Sequence, residues 1–211
     1  MDSRLIEIFR KLLAHFGPRR WWPAETPFEV MVGAVLTQNT SWTNVEKAIS
    51  SLKEKGLLSA GAIYELPLSE LAACIRSAGY YNIKARRLKN LVSFFINQYD
   101  ANLDNMFAED VESLRSKLLE VKGIGPETAD SILLYAGGKP SFVVDAYTKR
   151  VFSRHMLISE ESSYDDVKEF FMDRLPVDAG LYSEFHALIV AAGKTYCKKN
   201  PACQDCPLNG F

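Results

Sequence analysis

The chain has 211 residues, 47% hydrophobic and 24% charged, with a net charge of −1 at pH 7. That balance excludes disordered and collagen-like chains and suits one large domain or two lobes sharing a core. No run of about 18 apolar residues occurs and the first residues, Met-Asp-Ser-Arg-Leu-Ile-Glu, lack a secretory apolar core, so a membrane partner is not expected and the cytoplasm is. The charge excludes a globally cationic nucleic-acid binder, though not a local basic face.

In chain order, almost every segment has helical periodicity. Leu5, Ile8, Phe9, Leu12 and Leu13 form the first stripe, which Gly17-Pro18 stops. Residues 28–37 are an apolar run without a polar face, readable as a strand or a buried helix; Glu, Met, Ala and Leu favour helix. Val45, Ala48, Ile49 and Leu52 continue the pattern. Leu66-Pro67 breaks it, and Ser69 is predicted to cap a helix through Leu71, Cys74 and Ile75. A turn at 79–82 precedes a long amphipathic helix to Tyr99. Helices are then predicted over 111–121, 128–135, 146–155, 163–174 and 178–196. Only Phe142-Val143-Val144 looks β-like, and it is too short for a sheet. The fold class is all-α, with one lobe over 23–135 and a second built from 1–22 and 136–211.

Chemistry concentrates in a few places. In Glu120-Val121-Lys122-Gly123-Ile124-Gly125-Pro126-Glu127-Thr128 one helix ends and another begins. Glycines allow positive φ and close backbone approach, and Pro126 suits the first helical position. Backbone N–H groups near Gly125 and Thr128 would then favour an anion such as a DNA phosphate, with Lys122 adding charge. A plain Gly-capped connection is the competing reading. About twenty residues later comes Gly137-Gly138-Lys139-Pro140 and then Val144-Asp145-Ala146-Tyr147. Cys197, Cys203 and Cys206 crowd one end of the sequence, a pattern that in a cytosolic chain suggests metal ligation more than disulfides. Cys74 stands apart, and His186 reads as a packed core histidine.

The hairpin, the Gly/Pro loop with Asp145 and the cysteine tail together resemble the helix–hairpin–helix (HhH-GPD) DNA glycosylases, endonuclease III and its relatives, across essentially the whole chain. The resemblance implies a six-helix barrel carrying the hairpin, a second helical lobe and a cleft between them. It implies double-stranded DNA with damaged bases as the partner, a monomer, and Asp145 as the carboxylate that stabilises the sugar cation when an N-glycosidic bond breaks. An Asp there also suits a helix N-cap. Relatives that nick the strand place a lysine two residues after the second hairpin glycine. Here Glu127 stands there, and a carboxylate forms no imine, so a water-using, monofunctional enzyme is implied.

Leu36-Thr37-Gln38-Asn39-Thr40-Ser41-Trp42 resembles the family segment that fills the gap left by a flipped nucleotide, making Gln38 and Asn39 the wedge candidates. With Arg19-Arg20-Trp21-Trp22-Pro23 and the Gly79-Tyr80-Tyr81-Asn82 stretch it is similar to the 3-methyladenine branch. That likeness implies Trp42 and one of Trp21 or Trp22 around an alkylated, cationic purine, with Lys194 lining the pocket. The cysteine loop resembles a 4Fe–4S loop, with three of four expected ligands and a first spacing one residue short; an intact, open-cornered or empty site all remain readings. Arg19, Arg20, Lys84, Arg86, Lys122, Lys149, Arg150, Lys198 and Lys199 are candidates for a basic face. The rival functions are an endonuclease III-type glycosylase and lyase for oxidised pyrimidines, and a DNA-damage-binding module without chemistry.

Overall fold

The computed structural model describes residues 3–211; Met1 and Asp2, which begin the N-terminal stretch discussed above, lie outside the described residues. The architecture is all-helical, with no strand among the described residues. The chain divides into two compact units, one running from Ala24 to Gly137 and the other combining the segment up to Pro23 with Gly138–Phe211.

The continuous unit is built on α2 (Pro27–Leu36), whose residues Glu29 to Leu36 are all buried. A helix apolar on every side must be central, which resolves the ambiguity of this run. Thr26 caps it through Glu29 N at 3.1 Å, and Pro27 occupies its first turn. Around it lie α3 (Trp42–Glu54), α4 (Ala60–Glu65), α5 (Leu68–Cys74), α6 (Tyr81–Tyr99), α7 (Leu103–Ala108) and α8 (Val111–Glu120). The hairpin's second helix, α9 (Pro126–Ser131), runs on into a π-helical turn over Ile132–Ala136. Two short helices, α4 and α7, have too few apolar repeats to be foreseen, yet Ser59 and Asn102 cap them. The expectation for Ser69 is corrected: α5 starts at Leu68 after Pro67, so Ser69 lies inside its first turn. Proline at the boundary sets that start, because its ring holds φ near the helical value.

The discontinuous unit holds α1 (Ser3–Phe16), α10 (Ala146–Arg154), α11 (Tyr164–Met172) and α12 (Ala179–Thr195), then a single 3-10 turn at Cys203–Asp205. Its core is aromatic. Phe142 and Phe171 stack with centroids 4.0 Å apart and planes 8° from parallel, and Phe152, Tyr182 and Phe185 close in edge-on. The β-like Phe142-Val143-Val144 is buried and belongs to no strand. It is a spacer that delivers Asp145 to the start of α10. Gly193 of α12 has no room for a side chain, since a Cβ would meet Tyr147 Cδ1 at 2.6 Å.

Candidate active site

Asp145 caps α10. Its Oδ1 accepts from Thr148 N at 2.7 Å and from Thr148 Oγ1 at 3.0 Å. Its Oδ2 lies 3.6 Å from Nε2 of His186, a residue 6% exposed. Burial works against the negative charge, but the His186 side chain and the two Thr148 donors outweigh it and hold the carboxyl below its ordinary value. The N-cap and the ionised carboxylate are therefore one group. The pairing with His186 is not legible in the sequence, because the two residues are 41 positions apart and only the packing of α12 on α10 brings them together.

The same α12 anchors the tryptophan segment of this unit. Glu184 accepts from the backbone N–H of Arg19 at 2.5 Å and of Arg20 at 3.3 Å, and Ser183 Oγ donates to Trp21 O at 3.0 Å. Trp21 and Trp22 are half-buried, with centroids 5.3 Å apart. Lys194, exposed, stands 5.8 Å from the Tyr147 ring, which Arg150 also faces at 4.9 Å.

In the Ala24–Gly137 unit, the hairpin has the predicted form. Gly123 takes φ +100°, Gly125 is the N-cap of α9 and Pro126 opens it. Ile124 is buried and pins the turn. Arg115 of α8 grips Asp130 of α9 through two bonds of 3.0 and 3.2 Å, which ties the hairpin's helices together. Lys122 and Glu127 are exposed, whereas Thr128 is buried. The wedge candidates differ. The amide of Gln38 is engaged on both sides: Nε2 donates to Gly123 O at 3.2 Å and to Thr128 Oγ1 at 2.9 Å, and Oε1 accepts from Arg87. Asn39 is exposed, with φ +53°. Trp42 opens α3, half-buried, its indole N–H bonded to Glu46 at 2.8 Å.

Several expected basic-face residues are used internally. Lys84 is 1% exposed and donates to Leu36 O and Ala78 O, both at 2.7 Å. Arg150 holds Cys197 O at 2.6 Å and Gly193 O at 3.1 Å, and Lys149 holds Ser162 O at 2.6 Å. A lysine buried against carbonyls cannot serve a phosphate. Tyr80 was not anticipated: it is 69% exposed at φ +45°, beside the α2–α3 segment that Lys84 and Ser77 link to it. The tandem tyrosines of the Gly79-Tyr80-Tyr81-Asn82 turn were the available signal.

The cysteine loop follows α12. Burial pushes the Cys206 thiol up, Leu208 N–H opposes this, and Cys197 and Cys203 add to the rise, so the three sulfurs are close enough to influence one another. Among the described residues, however, no three His, Cys, Asp or Glu side chains are grouped to hold a metal ion. No catalytic step is assigned to a metal here.

Residues 32–177 match the HhH-GPD superfamily of base excision DNA repair proteins. A candidate DNA repair glycosylase of Methanocaldococcus jannaschii is 49% identical over 98% of this chain and 94% of its own length. The crystal structure of Helicobacter pylori 3-methyladenine DNA glycosylase bound to 1,N6-ethenoadenine is 33% identical, with a TM-score of 0.78 over 90% of this chain and 97% of that one. A trapped endonuclease III–DNA covalent intermediate is 26% identical, with a TM-score of 0.83 over 99% and 94%.

Proposed function

Since this chain belongs to the HhH-GPD superfamily of base excision DNA repair proteins and is a DNA glycosylase, we propose that it excises alkylated purines, chiefly 3-methyladenine, from double-stranded DNA by flipping them out, without cutting the strand. It would act as a monomer in the cytoplasm; no helix among the described residues is long and apolar enough to cross a membrane.

The observation that carries this reading is Asp145, held ionised by Thr148 and His186 at the start of α10. When the bond between C1′ and the purine nitrogen breaks, its electron pair leaves with the base and positive charge develops on the sugar. A carboxylate stabilises that charge and takes a proton from the water that adds to C1′. An alkylated purine leaves from an already cationic ring, so no strong acid is needed. Trp42, and Trp21 or Trp22, each offer an indole face to which such a ring is attracted by about 1–2 kcal/mol when desolvated; Lys194 is a further pocket candidate. Lys122 and the backbone at Gly123, Gly125 and Thr128 suit a phosphate, Asn39 suits entry into the duplex, and Tyr80 suits stacking next to it. Glu127 in the lysine position argues against a Schiff base.

Cys197, Cys203 and Cys206 are the right donor type for three corners of a 4Fe–4S cluster; such a group would be structural. An absorption band at about 400 nm that is lost with chelation tests it.

The deciding experiment scores free base released from 3-methyladenine duplex against thymine-glycol duplex, with borohydride present in parallel. Release of 3-methyladenine without covalent trapping is expected. Preference for thymine glycol, or efficient trapping, would favour the endonuclease III-type reading instead.

A further inference from the structure

Gln38 is the only side chain joining the α2–α3 turn to the hairpin in the hydrogen bonds described above, and it does so with its whole amide. Both amide hydrogens go to the hairpin, one to Gly123 O and one to Thr128 Oγ1, while its oxygen takes the Arg87 guanidinium. Both donors of Gln38 are therefore spent, and its oxygen is already held by the arginine. Arg87 touches the hairpin as well, because its aliphatic stem lies where a side chain at residue 123 would be: a Cβ there would fall on Arg87 Cγ and come within 3.0 Å of Cδ. Gly123 thus serves twice, giving the turn its φ of +100° and admitting the arginine stem. One turn earlier on α6, Lys84 fixes Leu36 O, the last carbonyl of α2. The turn holding Asn39 is therefore fastened at Leu36 and at Gln38, and Asn39 alone is left exposed between Gln38 and Thr40.

A brace serving stability alone would be met by a carboxylate at position 38 facing Arg87, with charge-assisted strength. A neutral amide gives up that strength and gains two donors aimed at the hairpin. Pushing a side chain into a duplex costs a few kcal/mol of unstacking, and a turn free to recoil would not transmit that force.

We infer that Gln38 and Arg87 are positioning residues that lock the Asn39 turn to the phosphate-gripping hairpin, so that backbone grip and entry into the duplex happen as one event. This deepens the glycosylase reading above and rests on it, including the entry role of Asn39.

The test measures single-turnover base release, and fluorescence of a 2-aminopurine next to the lesion, on a duplex carrying one alkylated adenine. Arg87→Met and Gln38→Glu are made in the natural chain and in an Asn39→Ala chain. In the natural chain each is expected to slow base opening about tenfold, with less than about twofold loss in affinity for undamaged duplex. In the Asn39→Ala chain the same changes should matter less than about twofold, because the turn then has nothing to drive in. Arg87→Lys keeps the stem over Gly123 and a donor, and should recover most of the rate; it also serves if Arg87→Met fails to fold. Effects that persist in full in the Asn39→Ala chain would show a merely structural brace and overturn the inference. If Asn39→Ala alone is silent, the entry role and the coupling fall together, and if the natural chain releases no alkylated base, it is the alkylpurine reading that has failed.

Discussion

At the scale of single residues, the N-cap that Asp145 makes and the catalytic role proposed for it can be separated. Asn is as good an N-cap as Asp. Asp145→Asn is therefore expected to keep the fold, with little change in melting temperature, while base release falls at least about a hundredfold; Asp145→Ala should lose about 1 kcal/mol of stability as well. Unchanged release by the Asn variant would remove Asp145 from the chemistry. The sign of the pH effect follows from the carboxyl lying below its ordinary value. Its stabilisation is present above the unfolded value, about pH 3.9, and is lost as pH falls through the folded one. Urea midpoints between about pH 4 and 2 should drop less steeply for Asp145→Asn than for the natural chain. Lys84 works in the opposite range. Burial, with Arg87 adding repulsion, lowers it to about 8. The unfolded lysine keeps its proton to about pH 10.4, so stability should rise from about pH 8 to 10 and the rise should vanish in Lys84→Met. Tyr99, held up by burial and by Glu109, opposes this only at higher pH.

At the scale of elements, α12 is a common support for its unit: Ser183 and Glu184 hold the tryptophan segment, His186 faces Asp145 and Gly193 lets α10 approach. Gly193→Ala forces a Cβ to within 2.9 Å of Tyr147 Cβ, a backbone-near clash that should cost about 1–3 kcal/mol and show as a lower melting temperature. The sequence showed α1, α3, α6 and the hairpin clearly because their apolar residues recur with helical period, and because Gly123, Gly125 and Pro126 have few other uses. The Asp after a Gly/Pro loop also suited a helix N-cap, and Asp145 is one. The sequence could not show His186, Arg87 or the inward use of Gln38. Those depend on which rotamer faces which neighbour across 41, 49 or 85 residues of chain, and local pattern has no access to that.

At the scale of the whole molecule, where net charge is −1, the cations that meet phosphate locally set how DNA affinity responds to salt. Several cations that a count of 25 Lys and Arg would credit to a basic face are spent inside: Lys84 on carbonyls, Arg115 on Asp130, Arg150 on Cys197 and Gly193. The slope of log affinity against log salt is about −0.9 per phosphate neutralised. A slope shallower than about −5 is expected, measured with undamaged duplex between 50 and 200 mM salt, conditions over which the slope is read; a steeper one would mean that more than about five phosphates are neutralised. The double duty of Asp145 carries a last implication for descent. On the catalytic role proposed for Asp145, an isosteric amide there would extinguish the reaction yet leave a folded protein that still seeks lesions. Lineages could therefore pass in a single step from healer to sentinel, and a sequence differing from this one at that residue alone should be suspected of guarding damage rather than mending it.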